Sequence, residues 1–437
     1  MNKIVDIYLW GTKIGALGYE PGQTEVATLA YDKDFLNMGI EVSPLKVSIK
    51  VESYALDNIS KRTFHGLPGF IADALPDKFG NQLIDQYFAL KGKTSDDITA
   101  LDRLWYVGNR AMGALEFKPS IKLEDSDKSQ KLKIQELAEL SELVMTKKEK
   151  FASELKNAKR EAAINLLRIG SSAGGARSKA LVAIDKDNNL FDGTVNHRRK
   201  CKYYLLKFDS SSNSDRDGQD PKGMTRVEYI YSLLAKKCNI EMPHTDYIKD
   251  KDDFHFLIER FDRIDKAKTT KKDKVHYVSW CGMAHADRDT TGAYSYEQLV
   301  LIVRELRLGQ ASVLEVFRRA VFNIIGRNQD DHTKNFGFVM NRDGEWSLSP
   351  AFDMTYSYDP SGKWTRVHQI SLNGKQDDFI AEDIVSFGKY CGISEKDSLK
   401  ILGVTKNAFL DFKNMAIKYN VSNELTSTII DNLRLEL

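Results

Sequence analysis

The chain has 437 residues, enough for two or three domains, and 42% hydrophobic with 29% charged residues is typical of a globular protein. The formal net charge of +2 excludes a strongly basic field over the whole surface. The four cysteines stand far apart and form no CxxC pair, which indicates reduced thiols. No apolar run reaches the length of a membrane span, and the first residues show no export signal, so we expect a cytoplasmic protein.

Residues 1–120 begin with alternating apolar and polar side chains, the period of half-buried β-strands. Two amphipathic helices and a further short strand follow, so we predict a small β-rich module. His65, Asp73 and Asp77 are predicted to serve turns and helix caps and not chemistry. A polar, charge-dense stretch over 119–133 predicts a linker after this module.

A glycine-rich loop lies in the segment after the linker. A helical stretch is predicted from Ile134 to about Leu167, and Ser171-Ser-Ala-Gly-Gly-Ala-Arg-Ser-Lys179 then precedes an apolar strand. Glycines and serines in such a loop let backbone N–H groups approach a phosphate closely. The loop fits neither the Walker A nor the Rossmann pattern, and a flexible hairpin loop is an open alternative.

Two apolar strands supply further candidates for nucleotide binding. The stretch 203–208 carries Lys207 near its end, after the glycine-rich loop, in the order of the protein-kinase lysine that pairs with nucleotide phosphates. Glu228, early in the next predicted helix, is either its partner or a surface charge. A later strand stands where an interlobe hinge should fall, and backbone groups near Glu259 and Phe261 would there meet an adenine.

The stretch 328–336 is the most informative part of the chain. Asp330 precedes Asn335 by five positions, the spacing between the catalytic aspartate and the metal-binding asparagine of kinase-type phosphoryl-transfer enzymes. A predicted hairpin then returns a second acid, Asp353, toward this loop. One carboxylate can deprotonate an attacking hydroxyl, while an amide and the other carboxylate hold Mg²⁺ against nucleotide phosphates. A polar loop with a helix cap is the plainer alternative.

The order of these features predicts an α+β fold with the two lobes of a protein kinase. The β-rich N-terminal lobe carries the loop and the lysine, and an all-helical C-terminal lobe carries the catalytic and metal-binding loops. A small β module is added at the N-terminus. We therefore predict three domains, over 1–120, 134–262 and 263–437.

Taken together, these stretches resemble the HipA family, bacterial serine/threonine kinases that act as toxins of toxin–antitoxin modules. The resemblance runs essentially end to end. It is carried by the stretches 330–336, Phe352-Asp353, Glu259-Arg-Phe-Asp-Arg263, Ser171 to Lys179, Gly66-Leu-Pro-Gly-Phe70, Tyr106-Val-Gly108 and Met112-Gly-Ala-Leu115.

The resemblance implies that Asp330 is the catalytic base and that Asn335 and Asp353 bind Mg²⁺. His332 and not lysine lies two positions after Asp330, as in other members of the family, so either His332 or Lys334 is implied as the group that stabilises the γ-phosphate. The other positions implied to contact ATP belong to the glycine-rich loop, the neighbouring strands and the hinge: Ser172, Ala173, Gly174, Gly175, Lys179, Lys207, Glu259 and Phe261.

The resemblance also implies regulation and partners. Ser171 or Ser172 would be autophosphorylated, and a dianionic phosphate there would drive the loop outward, because it cannot share a site with the phosphates of ATP. An extra glycine in the loop leaves the choice of serine open. The implied protein substrate is an aminoacyl-tRNA synthetase, notably glutamyl-tRNA synthetase, whose inactivation slows growth. The implied partner is a helix-turn-helix antitoxin of the HipB type that carries the complex onto operator DNA.

Two other functions are open. A kinase of small molecules, such as an antibiotic phosphotransferase, would use the same acids and amide but would need an acidic or aromatic substrate pocket in the helical lobe. A catalytically silent scaffold would only bind an antitoxin and DNA. The joint presence of Asp330, Asn335, Asp353 and Lys207 argues against the scaffold, which has no chemical need for all four.

Overall fold

The structure, a computed structural model, describes residues 3–121, 130–155, 159–171, 177–211, 221–266 and 269–437. The chain forms two compact units, each discontinuous in sequence. The first unit comprises Met1–Lys222, Asp246–Val278 and Met340–Gly344, and the second comprises Gly223–Thr245, Ser279–Val339 and Glu345–Leu437. The predicted division into 1–120, 134–262 and 263–437 stays a prediction.

Five strands open the first unit: β1 (Ile4–Leu9), β2 (Thr12–Tyr19), β3 (Ala27–Tyr31), β4 (Ser53–Ala55) and β5 (Leu115–Lys118). They form one sheet in the order β4-β3-β2-β1-β5, and β1 pairs antiparallel with β2 and β5. Val5, Ile7 and Leu9 are buried, because alternate side chains of a strand face the same side. The alternation noted in the sequence is therefore confirmed as a β-strand.

Five helices accompany this sheet: α1 (Lys33–Leu36), α2 (Lys61–Phe64), α3 (Gly69–Ala72), α4 (Lys78–Ala89) and α5 (Ala100–Val107). Asp77 begins α4, since its side chain accepts a hydrogen bond of 2.7 Å from the backbone N–H of Gly80. His65 and Asp73 stand at the C-terminal caps of α2 and α3. The predicted capping roles of these three residues are confirmed.

A second sheet contains β6 (Lys179–Asp185), β7 (Leu190–Asp192), β8 (Cys201–Lys207), β9 (Thr245–Asp250) and β10 (Asp253–Glu259), in the order β7-β6-β8-β10-β9. The central β8 pairs antiparallel with β6 and β10. In this register Lys207 lies opposite Lys179. Directly opposite residues share a face of the sheet, so the two predicted phosphate-binding lysines are neighbours.

Three helices pack with this sheet: α6 (Ile134–Thr146), α7 (Lys148–Glu154) and α8 (Arg160–Gly170). The helical stretch predicted from Ile134 to about Leu167 consists of these three helices, and the first division falls at Lys147, where the backbone leaves the helical region with φ −143° and ψ 66°. One apolar core joins these helices and α4 to the sheet, and it includes Phe79, Leu83, Leu140, Leu166, Val182 and Leu206.

Two further strands of the first unit, β11 (Arg263–Asp265) and β12 (Lys272–Lys274), pair with each other, and β13 (His276–Ser279) then carries the chain into the second unit. The second unit contains α9 (Met224–Lys237), α10 (Trp280–Ala284), α11 (Tyr296–Glu305), α12 (Gly309–Ile325), α13 (Ala381–Tyr390), α14 (Glu395–Leu410), α15 (Phe412–Lys418) and α16 (Asn423–Asn432). In the described part of the chain, no helix combines the length and the apolarity that crossing a membrane requires.

Two short strands interrupt the helices of the second unit. β14 (Gly337–Met340) and β15 (Trp346–Leu348) are neighbours in one sheet. They confirm the hairpin predicted between Asn335 and Asp353. The expectation of an all-helical C-terminal lobe is corrected at this point, because a tight turn at Asn341 to Gly344 favours a strand pair over a helix.

Candidate active site

The chain enters the candidate site at the end of α12. The hydroxyl of Tyr231 donates to the backbone carbonyl of Gly326 at 2.7 Å, and the Nε of Arg327 donates to the carbonyl of Asn432 at 2.8 Å. A Cβ at Gly326 would collide with the ring of Phe409, so a larger residue here would displace that ring. These contacts fix the start of residues 328–336, which we call the catalytic loop after the role predicted for it.

Asp330 and Asn335 are joined within the catalytic loop. The side-chain Nδ2 of Asn335 donates to the backbone carbonyl of Asp330 at 2.6 Å. The carboxylate of Asp330 is 49% exposed and so is open to a reacting group. Because the amide nitrogen of Asn335 is committed, its amide oxygen is the atom that can bind a cation.

His332 and Lys334 lie on the same loop. The Nε2 of His332 is 3.8 Å from the Oδ1 of Asp330, which is too long for a hydrogen bond. Lys334 lies in the 3₁₀ turn Thr333–Asn335, and the hydroxyl of Thr333 anchors that turn by donating to the carbonyl of Ala286 at 2.7 Å. Both residues stay candidates for the γ-phosphate.

Asp353 lies in a segment that is attached to the catalytic loop. It adopts φ 53°, a left-handed conformation that is uncommon outside glycine and that clusters at functional sites. Four residues later, the backbone N–H of Ser357 donates to the carbonyl of Arg327 at 3.0 Å. The hydroxyl of Ser357 also donates to the Oδ1 of Asn328 at 3.4 Å. The candidate metal ligand is therefore held beside the start of the catalytic loop.

The donor set of Asn335 and Asp353 suits Mg²⁺. This ion prefers oxygen ligands, takes one or two from the protein at sites that bind nucleotides, and completes its octahedral shell with phosphate oxygens and water. One amide oxygen and one carboxylate match this requirement. Among the residues that the structure describes, no group of three or more His, Cys, Asp or Glu side chains is placed to hold a metal ion.

Sequence reasoning missed Asp331, the residue after the candidate base. Its carboxylate is fully buried and accepts hydrogen bonds from the hydroxyl of Tyr296 at 2.8 Å and from the backbone N–H of Gln369 at 2.8 Å. The Nδ1 of His368 lies 2.7 Å from the same carboxylate. Burial, together with the charge of Asp331, raises the pKa of Tyr296 well above its usual value, so its hydroxyl stays a donor. The only sequence signal was the doublet Asp330-Asp331.

In the first unit, Lys179 is committed to a residue of the N-terminal module. Its Nζ lies 2.9 Å from the Oδ2 of Asp77, and both side chains are more than nine-tenths buried. The nucleotide-binding role of Lys179 stays a prediction, and this ion pair disfavours it. Lys207, opposite Lys179 on β8, is also buried, and its predicted role with the phosphates stays a prediction.

The glycine-rich loop is described only at its two ends. Ser172, Ala173, Gly174 and Gly175 lie outside the described residues, whereas Ser171 is described and is fully buried. Helix α4 lies directly against this end of the loop: a Cβ at Gly80 would approach the carbonyl oxygen of Ser171 to 3.0 Å, and a Cβ at Gly170 would press on Leu83. The N-terminal module therefore contacts the base of the loop.

The predicted hinge contains a second buried acid that sequence reasoning missed. Asp262 accepts hydrogen bonds from the Nε of Arg260 at 2.9 Å and from the Nη1 of Arg263 at 2.7 Å. Burial alone would raise the pKa of Asp262, but the two guanidinium groups hold it far below its usual value. Glu259 ends β10 just before this cluster, and Phe261 lies within it, with its ring 5.7 Å from that of Tyr277.

This cluster ties the predicted hinge to the N-terminal module. The backbone N–H of Gly113 donates to Asp262 at 2.7 Å, and Arg263 donates to the carbonyls of Gly113 at 3.0 Å and Ala111 at 3.2 Å. The two stretches that carry the resemblance, Glu259 to Arg263 and Met112 to Leu115, therefore meet in space. The sequence contains both stretches, and this was its signal that they serve one structural purpose.

The fold is similar to that of known proteins. HipA of Shewanella oneidensis MR-1, solved with HipB and its operator DNA, matches with a TM-score of 0.65 and 18% identity over 98% of this chain and 94% of that one. The Helicobacter pylori proinflammatory kinase CtkA matches at a TM-score of 0.40, with 12% identity over 59% of this chain and 86% of that one, a likeness too weak to support an assignment.

Sequence comparison with curated proteins finds a Haemophilus influenzae protein, provisionally named as a kinase, that is 22% identical over 194 residues. The match covers 38% of this chain and 56% of that protein, so the chain spans little more than half of its length. Two family models match this chain. The HipA N-terminal domain matches residues 5–118, and the HipA-like C-terminal domain matches residues 171–414, more than half of the chain. The chain therefore belongs to the HipA family.

Proposed function

We propose that this protein is an ATP- and Mg²⁺-dependent serine/threonine protein kinase that acts as the toxin of a toxin–antitoxin module. The observation that carries the proposal is the catalytic loop itself, where the Asp330 side chain is 49% exposed and the side-chain amide of Asn335 donates to the backbone carbonyl of Asp330. Membership of the HipA family and the similarity to a kinase-named relative support it.

In the proposed reaction, Asp330 accepts the proton of a serine or threonine hydroxyl while that oxygen attacks the γ-phosphorus of ATP. The bond from the γ-phosphorus to the bridging oxygen breaks, and ADP leaves. Bound Mg²⁺ would neutralise the charge on the phosphates. The amide oxygen of Asn335 and the carboxylate of Asp353 would hold the ion.

The remaining contacts with the nucleotide follow the same assignment. Lys207 would bind phosphate oxygens, and the backbone near Glu259 and Phe261 would bind the adenine. His332 or Lys334 would stabilise the γ-phosphate. The residues of the glycine-rich loop that belong to this proposal are Ser172, Ala173, Gly174 and Gly175.

We further propose that the kinase phosphorylates itself at Ser171 or Ser172. A phosphoserine carries close to two negative charges at neutral pH and repels the phosphates of ATP, so the modified loop would not close over a nucleotide. Ser171 is fully buried, and its hydroxyl would have to be exposed by a rearrangement before it could react.

The proposed partners come from the family and from the solved relative. HipA of Shewanella oneidensis assembles with HipB and operator DNA, which supports a helix-turn-helix antitoxin that carries this chain onto DNA. The net charge of +2 is consistent with DNA contacts made mainly by such a partner. The proposed substrate is an aminoacyl-tRNA synthetase, with glutamyl-tRNA synthetase as the first to test.

Mass spectrometry tests the phosphotransferase activity. The wild type, Asp330→Ala and Asp343→Ala would each be incubated with Mg²⁺-ATP and digested with trypsin. We expect phosphate on the peptide 169–177 of the wild type and of Asp343→Ala, which removes an exposed carboxylate at the β14–β15 turn. Removal of a general base lowers rates by about 10² to 10⁴, so Asp330→Ala should stay unmodified. Equal phosphate on all three would refute the role of Asp330.

A second incubation tests the substrate. Purified aminoacyl-tRNA synthetases and a set of aminoglycosides would each be mixed with the wild type and with Asp330→Ala in radiolabelled Mg²⁺-ATP. Label on a synthetase that depends on Asp330 supports the protein kinase. Label on an aminoglycoside instead would favour the small-molecule kinase, and label on neither substrate nor the chain itself would favour the silent scaffold.

A further inference from the structure

Asp330 and Asp331 are adjacent but have opposite surroundings. The Asp330 carboxylate is 49% exposed, whereas the Asp331 side chain is fully buried in the second unit. Both lie in a stretch of non-helical backbone between α12 and the 3₁₀ turn. A fixed direction for one side chain in such a stretch sets the direction of its neighbour. The buried residue is therefore in a position to orient the exposed one.

The buried carboxylate is held on both of its oxygens. Oδ2 accepts from the hydroxyl of Tyr296 and faces the Nδ1 of His368, while Oδ1 accepts from the backbone N–H of Gln369. The Nδ2 of Asn323, on α12, in turn donates to the hydroxyl of Tyr296 at 3.0 Å. Two segments of the second unit, α11 and residues 368–369, therefore converge on one side chain of the catalytic loop, and α12 supports the first of them.

The protonation of His368 follows from its other neighbour. Its Nε2 lies 3.0 Å from the Nη1 of Arg434. A guanidinium group has donors and no acceptor, so Nε2 must accept the hydrogen bond. The imidazole is then neutral with its proton on Nδ1, which makes it a donor to Asp331. Arg434 therefore selects the tautomer that the carboxylate needs.

Arg434 is itself anchored. Its Nη1 donates to the carbonyl of Ile324 at 3.1 Å, and its backbone N–H donates to the carbonyl of Ile325 at 3.1 Å. Its Nη2 forms an ion pair with Asp377. The segment after α16 is thus attached to the last turn of α12, directly before the catalytic loop begins.

We propose that Asp331 is a positioning residue of the catalytic loop, and that Tyr296, His368 and Arg434 support it so that Asp330 faces the substrate hydroxyl. This inference rests on the proposed kinase activity. A misplacement of about 1 Å at a reacting group costs roughly a hundredfold in rate. The nucleotide contacts proposed above involve other residues, so loss of Asp331 should reduce kcat and leave nucleotide affinity unchanged.

The test compares two buried carboxylates of the second unit. Asp331→Asn removes the proposed positioning charge. Asp383→Asn is the matched control, because Asp383 is also buried and also accepts three hydrogen bonds, from Lys375, Asn373 and the backbone of Ile380, but lies outside the catalytic loop. Each variant would be assayed for ATP-dependent transfer, nucleotide Kd and thermal stability.

We expect Asp331→Asn to lower kcat about 10- to 100-fold, with a nucleotide Kd within about twofold of the wild type. Asp383→Asn should lose thermal stability but keep a kcat within about threefold of the wild type. If Asp331→Asn does not fold, Tyr296→Phe removes a single donor and should lower kcat about threefold to tenfold. An unchanged kcat in the folded variant with an unchanged Kd would overturn the inference.

Imidazole ¹⁵N spectroscopy gives an independent readout. In protein labelled at histidine, the signal of His368 is identified by its loss in His368→Asn. The wild type should show the neutral tautomer with the proton on Nδ1, and Arg434→Gln should lose that preference. A proton on Nε2 in the wild type would overturn the role of Arg434.

These experiments distinguish a failure of the kinase assignment from a failure of the positioning role of Asp331. If the wild type transfers no phosphate in an Asp330-dependent manner, the kinase assignment falls, and the positioning role falls with it. If the wild type transfers phosphate and Asp331→Asn matches it in kcat, only the positioning role falls.

Discussion

The two units use buried carboxylates in different ways. In the first unit, Asp262 is surrounded by charge, with the guanidinium groups of Arg260 and Arg263 bound directly to it. In the second unit, Asp331 is held by a hydroxyl, an imidazole and a backbone amide. Each acid is fully buried, and each lies next to a residue proposed for the active site, Phe261 in one case and Asp330 in the other.

The difference shows two ways to hold a functional segment. The cluster around Asp262 joins the predicted hinge to residues 111–113, and its carboxylate is the counter-charge that both buried guanidinium groups share. The network around Asp331 consists of directional hydrogen bonds to uncharged groups, which orient a loop at a smaller electrostatic cost. We therefore expect Asp262 to matter more for stability and Asp331 more for catalysis.

The largest effect on stability is expected from Asp262→Asn. This change leaves two buried arginines without their counter-charge, which should lower the free energy of unfolding by about 3–5 kcal/mol. Asp331→Asn leaves neutral donors unpaired and should cost about 1–3 kcal/mol. Urea denaturation of the three proteins measures both values. Equal losses, or a larger loss in Asp331→Asn, would break the contrast between the two units.

The pH dependence of stability gives a further test of the first unit, which buries the imidazole of His276. His276 in the first unit has its Nε2 3.0 Å from the carbonyl of Val42, and burial lowers its pKa to about 4. Its unfolded pKa is about 6.5, so between these values the unfolded chain binds more protons. Its contribution to stability is therefore complete above about pH 6.5 and is lost as the pH falls toward 4, by about 3 kcal/mol.

The variant His276→Gln isolates this contribution. The difference in unfolding free energy between the wild type and the variant should shrink as the pH falls from about 7 to about 4. Urea denaturation at several pH values, with both proteins in the same buffers, gives the difference directly. A difference that stays constant over this range would contradict a buried neutral His276.

The two neighbouring lysines of the second sheet should differ in nucleotide binding. A charge-assisted hydrogen bond contributes about 1.5–3 kcal/mol, so Lys207→Met should weaken ATP affinity about 10- to 100-fold. Lys179→Met should change ATP affinity less than about threefold, because its ammonium is bound to Asp77. Calorimetric titration of both variants measures this. A larger loss of affinity in Lys179→Met would reassign the phosphate contact.

The smallest effect concerns the metal ligand. Asp353→Ala should weaken Mg²⁺-ATP binding about tenfold, whereas Asp330→Ala should leave it close to that of the wild type, since a general base does not bind the ion. Titration of each variant with ATP, once in Mg²⁺ and once in EDTA, separates the metal-dependent part of the binding free energy. Equal affinities of both variants and the wild type would argue against the metal role of Asp353.

Local patterns were sufficient for much of the fold. The alternation in β1, the cap at Asp77 and the hairpin of β14 and β15 each depend on neighbouring residues. The spacing of Asp330 and Asn335 likewise indicated two residues of one loop, and the structure joins them by a hydrogen bond. The division between α6 and α7 could not be placed from the sequence, because Lys147 and the charged residues beside it are compatible with a helix.

The supporting residues of the site could not be predicted, because their partners are distant in sequence. Asp331 is 35 residues from Tyr296 and 37 from His368. Asp262 is 149 residues from Gly113, and Lys179 is 102 from Asp77. No periodicity or turn motif relates such positions. Only the folded chain shows that the acids adjacent to the candidate site residues are structural anchors.

The apolar core of the first unit has a consequence for how the protein unfolds. Phe79 and Leu83 of α4 belong to the same core as Leu166 on α8 and Ala180 on β6, although the HipA N-terminal domain ends at residue 118. Two portions that share one interior cannot melt independently, so heating should reveal a single cooperative transition for both. The N-terminal domain and its neighbour are therefore one cooperative folding unit, and deletion of the N-terminal domain would expose the core of the remainder.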